Sequence, residues 1–177
     1  EQREVFKALD TTGVKILTGP PGSGKTAVIK GLMKYYGKPC HLSATTGMAA
    51  QVMQEACGQQ AETVHRMLNI TPFDEKLYGR TLNEPVPEDF VVIDEMSMCG
   101  LQLFAVTLSG IKSGSTLLLV GDEDQLQSVE YGSVLHDLIQ SGIVEVYRLK
   151  EVLRQSGSIC ANAVKINQGI NTLEEDS

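Results

Sequence analysis

The sequence predicts an α/β domain: a mostly parallel sheet with helices on both faces. Three observations predict it. Short apolar runs alternate with stretches of helical periodicity along nearly the whole chain. Two of those runs, residues 90–93 and 117–120, are apolar without interruption, as strands covered on both faces must be. A turn rich in glycine and proline, residues 19–24, stands between an apolar run and a helical stretch.

Taken in order, residues 14–18 read as a short strand running into that turn. Residues 25–36 read as a helix, with Val28, Leu32 and Tyr36 on one face and Ile29 and Met33 beside them. Gly37-Lys38-Pro39 stops it. Residues 40–43 form a second strand, 47–57 a second helix ending at Gly58, and 63–68 a smaller helical piece. Residues 71–89 break the rhythm with Pro72, Gly79, Pro85 and Pro87, and read as an inserted loop or small hairpin. Then follow a buried strand at 90–93, a helix at 101–108, a strand at 116–120 and a helix at 134–139. Residues 143–147 are extended and 158–167 helical. No repeat or low-complexity tract interrupts this, so residues 1–177 are expected to make one domain.

Composition narrows the function classes. Of 177 residues, 42% are apolar and 21% charged, which excludes a disordered tail. The net charge of -7 excludes a chain that coats nucleic acid by bulk charge, but leaves room for a local groove. No apolar run approaches the roughly 18 residues of a membrane helix, so no membrane partner is expected. No signal segment opens the chain, and its first residue is Glu1, as in an excised fragment. Cys40, Cys57, Cys99 and Cys160 lie far apart with no metal-type spacing, and read as reduced thiols of a cytoplasmic protein.

The chemistry starts at Gly19-Pro20-Pro21-Gly22-Ser23-Gly24-Lys25-Thr26, a full G-x-x-x-x-G-K-[ST] pattern. Glycines let the backbone curl so that successive N–H groups face phosphate oxygens. The helix beginning near Gly24 adds its positive dipole end. Lys25 supplies a point charge for the β- and γ-phosphates, and the Thr26 hydroxyl a ligand for Mg²⁺. At the end of the 90–93 strand stand Asp94 and Glu95. That strand end is expected beside the phosphate loop, with Asp94 on Mg²⁺ and Glu95 on an attacking water. A second acidic strand end, Gly121-Asp122-Glu123-Asp124-Gln125, offers Gln125 as a bridge between γ-phosphate and water. Taken singly, such a loop as often merely caps the next helix.

In order along the chain, these blocks resemble the first RecA-like motor domain of superfamily 1 DNA helicases of the RecD type. Gln2 matches the adenine-reading glutamine, and 19–26 the first motif. Residues 43–50, with Thr45 and Thr46, match the strand-end motif that touches single-stranded DNA. Thr63, His65 and Arg66 fall in the next DNA-side motif. Asp94-Glu95 matches the acidic motif, 121–126 the sensor motif, and Arg154 the arginine that reaches the γ-phosphate. Two positions depart from the pattern: Met48 stands where a basic residue is usual, and Gln127 where proline is usual.

The resemblance implies ATP and Mg²⁺ as cofactors and single-stranded DNA as a partner, with movement 5′ to 3′. It also implies a second motor domain in the parent chain, and nuclease or recombination partners. An insertion at 71–89 forms a strand-parting pin in relatives, which makes Phe73 and Tyr78 stacking candidates, although packing onto the domain is the commoner use. His65 is equally suited to a satisfied helix position, and Arg154, the resemblance aside, to a solvated one. Two other readings compete. A small-molecule kinase wants an arginine-rich lid, and only Arg148 and Arg154 follow Arg80. A nucleotide-gated regulatory module would have lost its catalytic acid, whereas Glu95 is present.

Overall fold

The structure is a computed structural model. It describes residues 12–37, 39–70, 80–81, 83–125 and 131–149, the side chain of Tyr35 excepted. Strands β1 (Gly13–Thr18), β2 (Cys40–Ala44), β3 (Ala61–Thr63), β4 (Phe90–Asp94), β5 (Thr116–Gly121) and β6 (Glu145–Arg148) form one sheet in the order β3-β2-β4-β5-β1-β6. Every pairing is parallel. All strand carboxyl ends therefore lie along one edge, the edge where such sheets bind ligands.

Helices α1 (Lys25–Tyr36) and α2 (Gly47–Cys57) cover one face. The other is covered by α3 (Val64–Met67), α4 (Leu101–Gly110), α5 (Val134–Ser141) and a 3₁₀ turn at Met96–Met98. The strands sort their side chains by period 2. Leu118 and Val120 of β5 join Phe90 and Val92 of β4 under Val28, Ile29 and Leu32 of α1. Leu117 and Leu119 join Val91 and Ile93 under Leu103, Phe104 and Leu135. Each such side chain contributes about 1.5–3 kcal/mol on burial. The Tyr36 ring stacks on Phe90 at 4.8 Å, closing the bottom of the first core.

Most expected elements occur, with helices 25–36 and 47–57 at their expected bounds. Four points differ. The sixth strand starts at Glu145, because Gly142 ends α5 in the left-handed region and leaves Ile143 83% exposed on the way in. Strand β3 was not expected: Ala-Glu-Thr is neither apolar nor alternating, and it is a strand only because β2 offers it a ladder. The 3₁₀ turn also lacked a sequence signal. The described part of the 71–89 stretch is no free loop. Val86 is buried and bridges to Ile111, and Arg80 donates from N to Leu68 O (2.7 Å) and from Nε to Met67 O (2.9 Å). Residues 71–79, with Phe73 and Tyr78, and the helix expected at 158–167 lie outside the described residues.

Candidate active site

The phosphate loop hangs on β1, whose last residue is held from both sides. Thr18 O accepts from Leu149 N (2.8 Å), and Thr18 Oγ1 accepts from Glu123 N (3.2 Å). The chain passes so close to Leu149 at Gly19 that a Cβ there would meet the Leu149 carbonyl oxygen at 2.6 Å. Gly24 is the N-cap of α1 at φ 90°, a left-handed conformation that only glycine adopts cheaply. Among the described residues no side chain caps α1, so its first N–H groups and positive dipole end face the edge. Ser23 Oγ is buried and finds no hydrogen-bond partner among the described residues. Lys25 Nζ lies back along the loop, donating to Gly19 O (2.5 Å) and Pro20 O (3.0 Å). Pro20 and Gly22 are half-buried and Pro21 is exposed on the loop's outer side.

The two acids end β4. Asp94 Oδ1 accepts from Glu95 N at 2.8 Å. Burial pushes the Asp94 carboxyl above the ordinary aspartate range, and the Glu95 charge adds to this, against that N–H bond and the Lys25 charge. Glu95 is one of the two non-glycine residues with positive φ (56°) among those described. That bend ends the strand and starts the 3₁₀ turn, whose Met98 N–H returns to Glu95 O at 3.0 Å. Just past β5, Asp122 is buried and braces its own turn by accepting Asp124 N at 3.0 Å. Ser97 Oγ donates to Gln125 Oε1 at 3.0 Å, which holds the amide at the cleft.

One cleft at the carboxyl edge is lined by Gly22, Gly24, Lys25, Thr26, Asp94, Glu95, Gly121, Asp122 and Gln125. The loop and the acids thus meet. The acidic tip lies beside the phosphate loop as expected, although strand β5 stands between β1 and β4, so the two strands are not adjacent in the sheet. The doubly apolar β5 takes the central place because it is buried along its whole length. Thr26 and Asp94 bring hard oxygen donors to the cleft, a set that fits Mg²⁺. The uncapped helix end and the unpaired Ser23 hydroxyl fit a polyphosphate.

The remaining candidates continue the same edge outward. Thr45 and Thr46 follow β2, Thr63 ends β3, and His65 and Arg66 lie in α3. Thr63 caps α3, accepting Arg66 N at 3.3 Å; His65 is half-buried and Arg66 exposed. The edge therefore runs from the β3 and β2 ends, through the acids and Gln125, to the phosphate loop. Gln2 and Arg154 lie outside the described residues. Sequence reasoning placed Ser97 in the acidic motif but gave it no role, because its partner Gln125 lies 28 residues away. It also missed that Thr46 Oγ1 donates to Glu95 Oε2 at 3.0 Å. Cys40 and Cys57 are free thiols, and burial pushes the Cys40 thiol up to about 12. Among the described residues no helix is long and apolar enough to cross a membrane.

Known proteins carry the same pattern. An AAA domain family model matches residues 1–175. The RecBCD enzyme subunit RecD of Mycolicibacterium smegmatis is 36% identical over 196 residues, covering 96% of this chain and 35% of that protein. The ATP-dependent RecD2 DNA helicase of Deinococcus radiodurans is 36% identical over 159 residues, covering 88% of this chain and 22% of that protein. The chain thus spans about a third or less of the length of these relatives. The crystal structure of Bacteroides Pif1 bound to ssDNA superposes with a TM-score of 0.67 at 21% identity, over 97% of this chain and 46% of that one, which bears out the fold. The chain belongs to the AAA domain family, and its similarity to RecD-type proteins bears out the RecD-like superfamily 1 resemblance that its motifs carry.

Proposed function

We propose that the chain is the ATP-binding and hydrolysing motor domain of a DNA helicase, coupling hydrolysis to movement along single-stranded DNA in the 5′ to 3′ direction. One observation carries the reading: the phosphate loop and both acids of β4 line a single cleft. The matched relatives include one named an ATP-dependent DNA helicase, which supports the same substrate. A second motor domain of the parent chain agrees with the short span of those relatives that is covered. Partner subunits of nuclease or recombination type are proposed on the name of RecD as a RecBCD subunit. A cytoplasmic location is proposed with them.

In this reading residues 19–26 wrap the β- and γ-phosphates with backbone N–H groups, and Lys25 leaves its loop carbonyls to neutralise them. Thr26 and Asp94 hold Mg²⁺, which supplies charge neutralisation at the phosphates. Glu95 orients the attacking water and takes its proton. Gln125, steadied by Ser97, orients that water from the β5 side. Gln2 reads the adenine, and Arg154 stabilises charge in the transition state. Thr45, Thr46, Thr63, His65 and Arg66 contact DNA phosphates through hydroxyl, N–H and guanidinium donors.

The test is ATP hydrolysis by the full-length protein, with and without a single-stranded oligonucleotide. Stimulation is expected. Lys25→Ala should abolish turnover, and Glu95→Gln should keep ATP affinity while slowing hydrolysis by roughly a hundredfold or more. Absence of stimulation overturns the helicase reading, and full activity of Lys25→Ala overturns the site.

A further inference from the structure

Helix α3 is a single turn, too short to stand on its own, so its place depends on what satisfies its ends. At its start Thr63 Oγ1 accepts Arg66 N (3.3 Å). At its end Val64 O accepts Leu68 N (3.0 Å) and Asn69 turns left-handed at φ 56°. The chain then closes as a Schellman motif, with Asn69 N donating to Arg66 O (3.0 Å) and Ile70 N to His65 O (2.8 Å). Two carbonyls of this end are left over, those of Met67 and Leu68. Arg80 takes both, the first from Nε (2.9 Å) and the second from its backbone N (2.7 Å). Its guanidinium also reaches Pro85 O through Nη1 (3.4 Å), on the stretch that leads into β4. The end of α4 closes on the same junction: a Cβ on Gly110 would meet Leu68 Cδ2 at 2.7 Å and Arg80 Cβ at 3.2 Å. Val64 and Met67 are buried in the core, and Arg66 stands exposed.

We infer that Arg80 is a positioning residue for the nucleic-acid side of the carboxyl edge: it holds α3 where Arg66 can meet a strand phosphate. A planar guanidinium serves Met67 O and Pro85 O at once, because its donors leave in fixed directions. Without it, Met67 O loses its donor in a half-buried place and the single turn is free to shift. The chain leaves α3 at Ile70 and is back against it at Arg80, so the local pattern of 63–68 does not announce this partner. The inference rests on the proposed function in one respect, single-stranded DNA at α3. It adds a residue that governs that contact from behind the helix.

The experiment uses the full-length protein and titrates fluorescent oligothymidylate across a salt series, beside ATP hydrolysis without DNA. Arg66→Ala should flatten the dependence of log Kd on log salt by roughly 0.7, the share of one phosphate on a single strand. Arg80→Ala should flatten it similarly and weaken binding about tenfold, the size of one lost hydrogen bond to a charged group, with DNA-independent kcat and KM for ATP unchanged. The two substitutions together should do no more than either alone, because one acts through the other. Arg80→Lys keeps the charge and loses the fork; it should show a smaller loss in the same direction, and it stands in if Arg80→Ala folds poorly. Wild-type affinity and slope in either Arg80 variant overturn the positioning. Additive slopes in the double variant overturn it too, since Arg80 would then meet the strand itself. A wild-type protein with no affinity for oligothymidylate overturns the DNA reading and the role of Arg66 with it. Amide exchange at Asn69 and Ile70, expected to be faster in Arg80→Ala with α1 unchanged, then still decides the hold on α3, and equal exchange overturns it.

Discussion

Asp94→Asn should make the protein more stable and less active, and the structure sets the sign of both. Asp94 lies half-buried at the end of β4, and burial is the largest influence raising its proton affinity. Asparagine keeps the shape, and its Oδ1 can still accept Glu95 N, now 2.8 Å from the Asp94 oxygen. Only the charge is lost. That loss forfeits the attraction of Lys25 and relieves the repulsion of Glu95, two opposing electrostatic effects. Desolvation is left to decide the sign. A partly buried, partly compensated charge costs about 1 kcal/mol. The variant should therefore melt about 2–4 °C higher at neutral pH without nucleotide.

The pH dependence follows from the same shift. A carboxyl whose folded value is raised costs stability above that value. It costs nothing below the ordinary aspartate value, where both folded and unfolded forms are protonated. The gap between variant and wild type should thus close as the pH falls below about 4. ATP hydrolysis should drop by on the order of a hundredfold or more, as when one preorganised charge contact is removed. Paired thermal melts across pH and a steady-state ATPase assay measure all three. A lower melting temperature at neutral pH, or a gap that persists in acid, would refute the burial argument.

Gly19→Ala should lower ATP affinity in a fluorescent-nucleotide titration and destabilise the fold by about 1–3 kcal/mol, because its Cβ would meet a backbone oxygen at 2.6 Å; unchanged affinity and melting would show that Leu149 gives way freely. Glu145→Gln should lower the melting temperature at neutral pH. Glu145 Oε2 accepts from Lys15 Nζ at 2.9 Å, and that bond, then Tyr147 at 2.7 Å, holds the Glu145 carboxyl below the ordinary glutamate range. A lowered carboxyl stabilises above its unfolded value and loses this as the pH falls through the folded one. The difference from wild type should therefore vanish in acid, and it should stay below about 1 kcal/mol because Glu145 is largely exposed. A difference that grows in acid would contradict the assignment.

Helices 25–36 and 47–57 were legible to the residue because their ends are written locally. Gly24 and Thr46 cap their starts, and Gly37 and Gly58 close them in the left-handed region. The phosphate loop and the acidic strand tips were legible for the same reason, since each is a short pattern beside an apolar run. Strand β3 was not legible, because Ala61–Thr63 has no period of its own and takes its shape from the open edge of β2.

Local patterning was enough to establish the doubly covered parallel sheet, the phosphate loop and the identity of the acids. The interposed β5, the 49-residue reach from Thr46 to Glu95 and the hold of Ser97 on Gln125 came only from folding. Caps and periodicities are properties of a few consecutive residues. Strand order depends on which distant apolar faces bury one another, and no short window of sequence contains that competition.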